Sequence, residues 1–360
     1  MKKTLSLVTA LALLLSTLCG CKAQPKYEKF SDAIFDSFDT VISVVSYQEN
    51  QAQFDELMSY TRERFAQLNQ FFDIYNDYDG INNVKTINDE AGKSPVKVDG
   101  EIIRLIEFSQ QWYEKSQGKV NIALGSVLRI WHDTREAAEG GNIEIPSMER
   151  LKSANEHTDI SKIVIDHENS TVFLPDSEMS LDVGAVAKGY ATEIICDELS
   201  AKYDNFAISA GGNVKTHGHP KDGRTRWGVG IQNPEVDENY QMVGGNIDLA
   251  FIGTDRSLVC SGGYQRFFVH EGRRYHHLID PDTLFPEEYY QGVTVMCEDS
   301  GVADALSTAI FMMESDKAIE FIENIEGADC LLILKDGTIV KSKGMDGVLK
   351  SQGIESDTPC

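Results

Sequence analysis

Asp304 and Thr308 stand four positions apart in Ala303-Asp304-Ala305-Leu306-Ser307-Thr308, a run of helical composition. On a helix that spacing puts a carboxylate and a hydroxyl on one face. Hard oxygens of this kind suit Mg²⁺, which takes few protein ligands and shares phosphate oxygens. Asp304 also reads as a cap or first-turn charge at a helix N-terminus. A second chemistry-bearing stretch is Leu181-Asp182-Val183-Gly184-Ala185-Val186-Ala187-Lys188-Gly189-Tyr190-Ala191. Its small residues let a ligand approach the backbone, and the free N–H groups of a following helix suit an anion. Lys188 adds a positive charge, although the same stretch can serve only as a tight strand–helix joint. His277, in His276-His277-Leu278-Ile279-Asp280-Pro281, is a candidate base or nucleophile near neutral pH. A structurally bonded histidine beside a turn is the competing reading.

These residues need elements to hold them. Phe35 to Tyr47 is β-branched and aromatic and predicts a strand. Gln51 to Phe71 has apolar residues at helical spacing, and a polar Asn/Asp-rich loop with Tyr75 and Tyr78 follows. Asp99 opens a predicted helix to Lys115, and Gly118 to Gly125 is a Gly-bounded apolar segment leading to Trp131. Residues 134–145 are charged and predict an exposed loop, Pro146 to Ala154 a short helix, and 163–174 a hairpin. Strands are expected at 206–214, 227–233, 258–262 and 293–296, a helix opening at Ala303, and a closing hairpin from Cys330. With no repeat and no clear linker, the mixture predicts one α+β domain.

The chain has 360 residues, 41% of them hydrophobic, and a formal net charge of −24. That balance excludes a nonspecific nucleic-acid binder, which needs a basic footprint. It also means that an anionic substrate needs a cation or a local positive site. Lys2, Lys3 and the apolar run Leu5 to Leu15 predict an export signal, too short for a comfortable membrane span. Leu18-Cys19-Gly20-Cys21 resembles a bacterial lipobox, which makes Cys21 the expected lipidation site and membrane anchor; an ordinary secretory signal is the alternative. The expected organisation is a signal at 1–20, a tether at 21–29, a domain at 30–350 and a tail at 351–360. Cys196, Cys260, Cys297, Cys330 and Cys360 form no close CxxC pair and read as free thiols.

Taken in order, Leu181 to Tyr190, Ser209-Ala210-Gly211-Gly212-Asn213, Ser261-Gly262-Gly263-Tyr264, His277 to Pro281, and Ala303 to Thr308 together resemble the ApbE family, the FAD:protein FMN transferases. The resemblance spans about residues 30 to 350. It implies a single T-fold-related α+β domain with an extended FAD cleft. It implies Mg²⁺ held by the Ala185 carbonyl and the Asp304 and Thr308 side chains, with Ser307 as a further oxygen. The flavin contacts it implies are Phe38, Tyr75, Asp182, Lys188, the backbone at Leu278, and Lys119-Val120-Asn121, and it makes His277 catalytic. The implied activity moves FMN from FAD onto a threonine or serine hydroxyl of an exported or membrane protein and releases AMP. Flavin-carrying subunits of membrane redox pumps or extracellular electron-transfer proteins are the implied acceptors. An Mg²⁺-dependent FAD pyrophosphatase and a non-catalytic flavin-binding lipoprotein are the alternatives. Departures from the family pattern occur at Phe38-Asp39-Thr40, Gly118 to Ile122, Asp79-Gly80 and Thr283-Leu284, all around the flavin pocket.

Overall fold

The computed structural model describes residues 26–358 except Asn239 and Gln265. The export signal, Cys21 and Cys360 lie outside the described residues. In chain order the first elements are β1 (Glu28–Ser37), β2 (Thr40–Gln48), α1 (Gln51–Phe72), α2 (Val84–Asp89), β3 (Val96–Lys97), α3 (Gly100–Lys115), α4 (Gly125–Glu139), α5 (Met148–Asn155), β4 (Val164–Asp166) and β5 (Thr171–Phe173). The second half holds α6 (Ala187–Ser200), β6 (Phe206–Ala210), β7 (Asn213–His217), β8 (Trp227–Gln232), β9 (Asn246–Ile252), β10 (Arg256–Gly262), β11 (Phe267–His270) and β12 (Arg273–His276). It closes with β13 (Tyr290–Cys297), α7 (Ser300–Phe311), α8 (Ser315–Glu323), β14 (Asp329–Leu334) and β15 (Ile339–Lys341).

One eight-stranded antiparallel sheet, ordered β1-β2-β6-β7-β10-β13-β14-β15, draws strands from both ends of the chain. Alternating residues divide its two faces. Ile42, Val44, Ile208, Val259, Val293 and Val295 pack with Phe65 and Leu68 of α1, Ile195 of α6, and Leu306 and Ile310 of α7. Tyr47, Leu258, Met296, Leu331 and Ile333 face the other way, onto the β8–β9 hairpin through Trp227, Ile231 and Ile252. A third cluster joins α4 to the β11–β12 hairpin, where Trp131 packs among Phe268, Tyr275 and Leu284.

Every residue of α7 except Val302 is buried. This explains why the helix lacks a polar face, since one covered all round needs no amphipathic stripe. Each of its Leu, Ile and Phe side chains contributes about 1.5–3 kcal/mol by leaving water. The helix starts at Ser300, capped by the Asp299 carboxylate, which accepts from the Val302 N–H at 2.8 Å. Asp304 is therefore an interior residue, and the cap role open to it in the sequence belongs to Asp299.

Three expectations change. The strand expected at 206–214 is two, β6 and β7, paired antiparallel and turned at Gly211 (φ 58°) and Gly212 (φ 97°). The strand predicted over Phe35 to Tyr47 is a hairpin, turned at Phe38 (φ 57°) and Asp39 (φ 49°). Both lie in the left-handed region, as the tight hairpin turn requires, yet neither is glycine, so the usual turn signal is missing. The loop predicted at 134–145 is helical to Glu139, and the chain leaves α4 only at Gly140 and Gly141. Its charged residues cover an exposed helical surface.

Candidate functional site

The joint between α6 and α7 is closed by Gly189. A Cβ there would lie 2.3 Å from the Ser300 carbonyl oxygen and 2.5 Å from Asp304 Cβ, so only glycine lets the two backbones approach this closely. The Gly189 N–H donates to Asp304 Oδ2 at 2.8 Å. Four residues earlier on one side and four later on the other, the Thr308 hydroxyl faces the Ala185 carbonyl oxygen at 3.5 Å. That separation is long for an O–H···O bond, so both oxygens keep acceptor capacity. A carboxylate and a hydroxyl from one face of α7 thus stand against α6 and the carbonyl just before it, and hard oxygens of this kind fit Mg²⁺. The Ser307 hydroxyl bonds instead to Ser261 Oγ (2.7 Å) and the Asp304 carbonyl oxygen (2.9 Å), inside the core.

Burial raises the Asp304 carboxyl, against the opposing pull of Lys188 and the Gly189 N–H. Asp182 is raised by burial too, opposed by the Gly184 N–H and by His132, Arg266 and Lys188. Its carboxylate accepts from Gly184 N–H at 2.9 Å, and its own N–H donates to the Ile122 carbonyl at 2.7 Å. Lys188 lies one turn along, with Nζ 3.4 Å from the Gly184 carbonyl oxygen.

His277 follows β12 and is half-buried. Its backbone N–H and its Nδ1 both meet the Arg266 carbonyl oxygen, at 3.1 and 3.3 Å. A carbonyl only accepts, so Nδ1 carries the hydrogen and Nε2 is left with a free lone pair. Burial, reinforced by His276, Arg266 and Lys188, pushes the imidazole down to about 3, so it is neutral at physiological pH. His276 points away. Its Nδ1 accepts from Leu278 N–H at 3.2 Å, and its Nε2 therefore donates to the Glu287 carbonyl at 2.6 Å.

The other sequence candidates are distributed around this centre. Phe38 packs edge-on against Phe65 and Phe72, and its N–H donates to Asn69 Oδ1 at 2.7 Å. Tyr75 is 53% exposed and lies against His132 with ring centres 5.2 Å apart and planes tilted by 32°. Lys119 Nζ bridges Asp280 and Asp282 at 2.8 Å each, tying the 118–125 segment to the turn after His277. Val120 is fully buried, and Asn121 is engaged with the Thr158 carbonyl and the Ala123 N–H. The Leu278 backbone is also engaged, through His276 Nδ1 and the Glu287 N–H.

Arg266 and His132 were missed in the sequence. Arg266 donates to Asp39 Oδ2 at 2.6 Å, so it links the β1–β2 turn to the carbonyl that orients His277. Its place two residues after Ser261-Gly262-Gly263-Tyr264 was the available signal. His132 had none, because no helix was expected from Gly125 and only the fold brings it against Tyr75. It also groups with Asp133 and Glu136, but both carboxylates are exposed, and its ring nitrogens already meet Arg135 and Glu136.

A family model described as the ApbE family matches residues 38–332. The chain belongs to the ApbE family. An FAD:protein FMN transferase of Treponema pallidum is 30% identical over 352 residues, covering 93% of each chain. The protein of that name from Klebsiella pneumoniae is 27% identical, over 80% of this chain and 87% of its own. Among solved structures, the ApbE protein of Thermotoga maritima superimposes with a TM-score of 0.75 at 29% identity, covering 91% of this chain and all of its own. The flavin transferase ApbE of Vibrio cholerae, at 20% identity, shares the fold with a TM-score of 0.72 over 89% of this chain and 99% of its own. The mixed helix-and-sheet single domain expected from the sequence is thus the ApbE fold.

Proposed function

We infer that this chain is an FAD:protein FMN transferase, an enzyme that takes FAD as substrate and a protein as acceptor. Flavin transfer is the activity in the names of its relatives. The observation that carries the chemistry is the α6–α7 joint, where Asp304 is held by the Gly189 N–H and the Thr308 hydroxyl faces the Ala185 carbonyl.

In the reaction, a serine or threonine hydroxyl of the acceptor attacks the FMN-side phosphorus of FAD. A phosphodiester to the acceptor forms, the pyrophosphate P–O bond breaks, and AMP leaves with the bridging oxygen. His277 Nε2 takes the hydroxyl proton, and the Arg266 carbonyl stabilises the imidazolium through Nδ1–H. A neutral resting imidazole keeps that lone pair available. Lys188 offsets phosphate charge, while Phe38, Tyr75 and Asp182 are proposed to contact the flavin. Lys119 with Asp280, Val120, Asn121 and the engaged peptide of Leu278 are proposed to shape its pocket. Ala185, Asp304 and Thr308 are proposed to hold Mg²⁺, which when bound neutralises pyrophosphate charge and polarises the phosphorus.

The proposed acceptors are exported or membrane proteins, such as flavin-carrying subunits of redox pumps or extracellular electron-transfer proteins. We also propose that the chain is itself exported and anchored by a lipid on Cys21. Among the described residues no helix is long and apolar enough to cross a membrane. Incubating the full chain with FAD, Mg²⁺ and an exported acceptor domain should add the mass of FMN less water to the acceptor, and a chelator should prevent it. His277→Ala should lose at least about 100-fold in rate, the scale of one general base. Free FMN and AMP with unlabelled acceptors would support hydrolysis instead. Cys21→Ser should abolish incorporation of labelled fatty acid; unchanged labelling overturns the anchor.

A further inference from the structure

Below the oxygen cluster, α6 and α7 meet a third time. Ala185 faces Thr308, Gly189 faces Asp304, and Glu193 faces Ser300, each step four residues along both segments. The third contact is the Ser300 N–H donating to Glu193 Oε2 at 2.6 Å. Ser300 is the first residue of α7, where a backbone N–H has no partner within its own helix. Glu193, from the neighbouring helix, supplies the acceptor, and its charge suits the positive end of the α7 dipole. Its other oxygen accepts from Lys215 Nζ at 2.9 Å, and Lys215 also donates to the Glu298 carbonyl at 2.7 Å. The Lys215 side chain is only 6% exposed. Strand β7 and helix α6 thus hold the two residues, Glu298 and Ser300, that flank the cap of α7.

We propose that Glu193, backed by Lys215, is a positioning residue for the cation site, fixing the register of α7 against α6 so that Asp304 and Thr308 stand opposite Ala185. Slippage at Ser300 would carry along the next two turns of a rigid helix, since all three α7 positions lie on one face. Glu193 touches no ligand itself and acts one helix turn away; losing a group bonded directly to a ligand typically weakens metal binding about 10–100-fold, and the lower end of that range is expected here. The inference rests on the cation site described under the proposed function.

The test uses full-length chain in detergent, with Mn²⁺ as the probe and its binding read by electron paramagnetic resonance without FAD. Asp304→Ala should abolish binding; if it does not, the site reading itself fails. With that control met, Glu193→Ala should weaken Mn²⁺ affinity by about tenfold or more in folded protein. Glu193→Gln keeps an oxygen for the Ser300 N–H but turns its amide NH2 toward the Lys215 ammonium, so its Mn²⁺ affinity should fall between the parent and Glu193→Ala; an affinity no better than that of Glu193→Ala overturns the proposal. Should Glu193→Ala fail to fold, Ser300→Pro removes the N–H at a helix position proline tolerates and should weaken Mn²⁺ about fivefold or more. Parental Mn²⁺ affinity in folded Glu193→Ala, or in Ser300→Pro, overturns the proposal.

Discussion

Asp304 and His276 give sequence expectations a physical test at single residues. Burial disfavours the Asp304 carboxylate in the absence of a cation, so its charge costs the folded protein stability. Asp304→Asn keeps an oxygen for the Gly189 N–H while removing that charge. The variant should melt higher than the parent in chelator, lose the parent's thermal shift on adding Mg²⁺, and transfer no FMN. His276 is pushed down to about 4, chiefly by burial, with the Glu287 carbonyl opposing. Between pH 6.5 and 4 the unfolded chain binds a proton that the folded chain refuses, so stability rises with pH across that window. His276 should contribute up to about 3 kcal/mol to the loss on acidification, and His276→Gln should flatten that slope in urea unfolding at pH 7 and 4.5. Side-chain types announced Asp304, Thr308 and His277 as chemical. Which nitrogen of His277 is free was not legible, because it depends on the Arg266 carbonyl, a backbone atom brought in by the fold.

At the level of elements, periodicity revealed α1 and α3 well, since each has one apolar stripe against a polar face. α7 was seen only from Ala303, because complete burial removes that contrast and Asp299 does not stand beside an amphipathic run. The β1–β2 turn was hidden by Phe38 and Asp39, which adopt glycine-like angles. The α6–α7 joint gives the sharpest test. Gly189→Ala should separate the helices and destabilise the protein by about 1–3 kcal/mol, the usual cost of overpacking. A calorimetric melt checks this, and Mg²⁺ binding should weaken even below the melting temperature.

For the whole molecule, charge is the dominant quantity. At −24, the protein repels the FAD pyrophosphate at long range, and Lys188 and Arg266 are the cations proposed to attract it locally. Salt screens the distant repulsion, with a Debye length of about 10 Å at 0.1 M. At fixed saturating Mg²⁺, raising ionic strength from about 10 to 150 mM should lower KM for FAD about two- to fivefold. A rise in KM would mean that the local cations dominate the approach.

The contact between Ala185 and Thr308 spans 123 residues of chain. During synthesis, the first half of the oxygen cluster therefore emerges long before its counterpart exists, and closing so distant a contact is intrinsically slow. A chain stopped before Ser300 should bind no Mn²⁺. With the cation site as proposed, the topology acts as a timer: activity should appear only once nearly the whole polypeptide has been made.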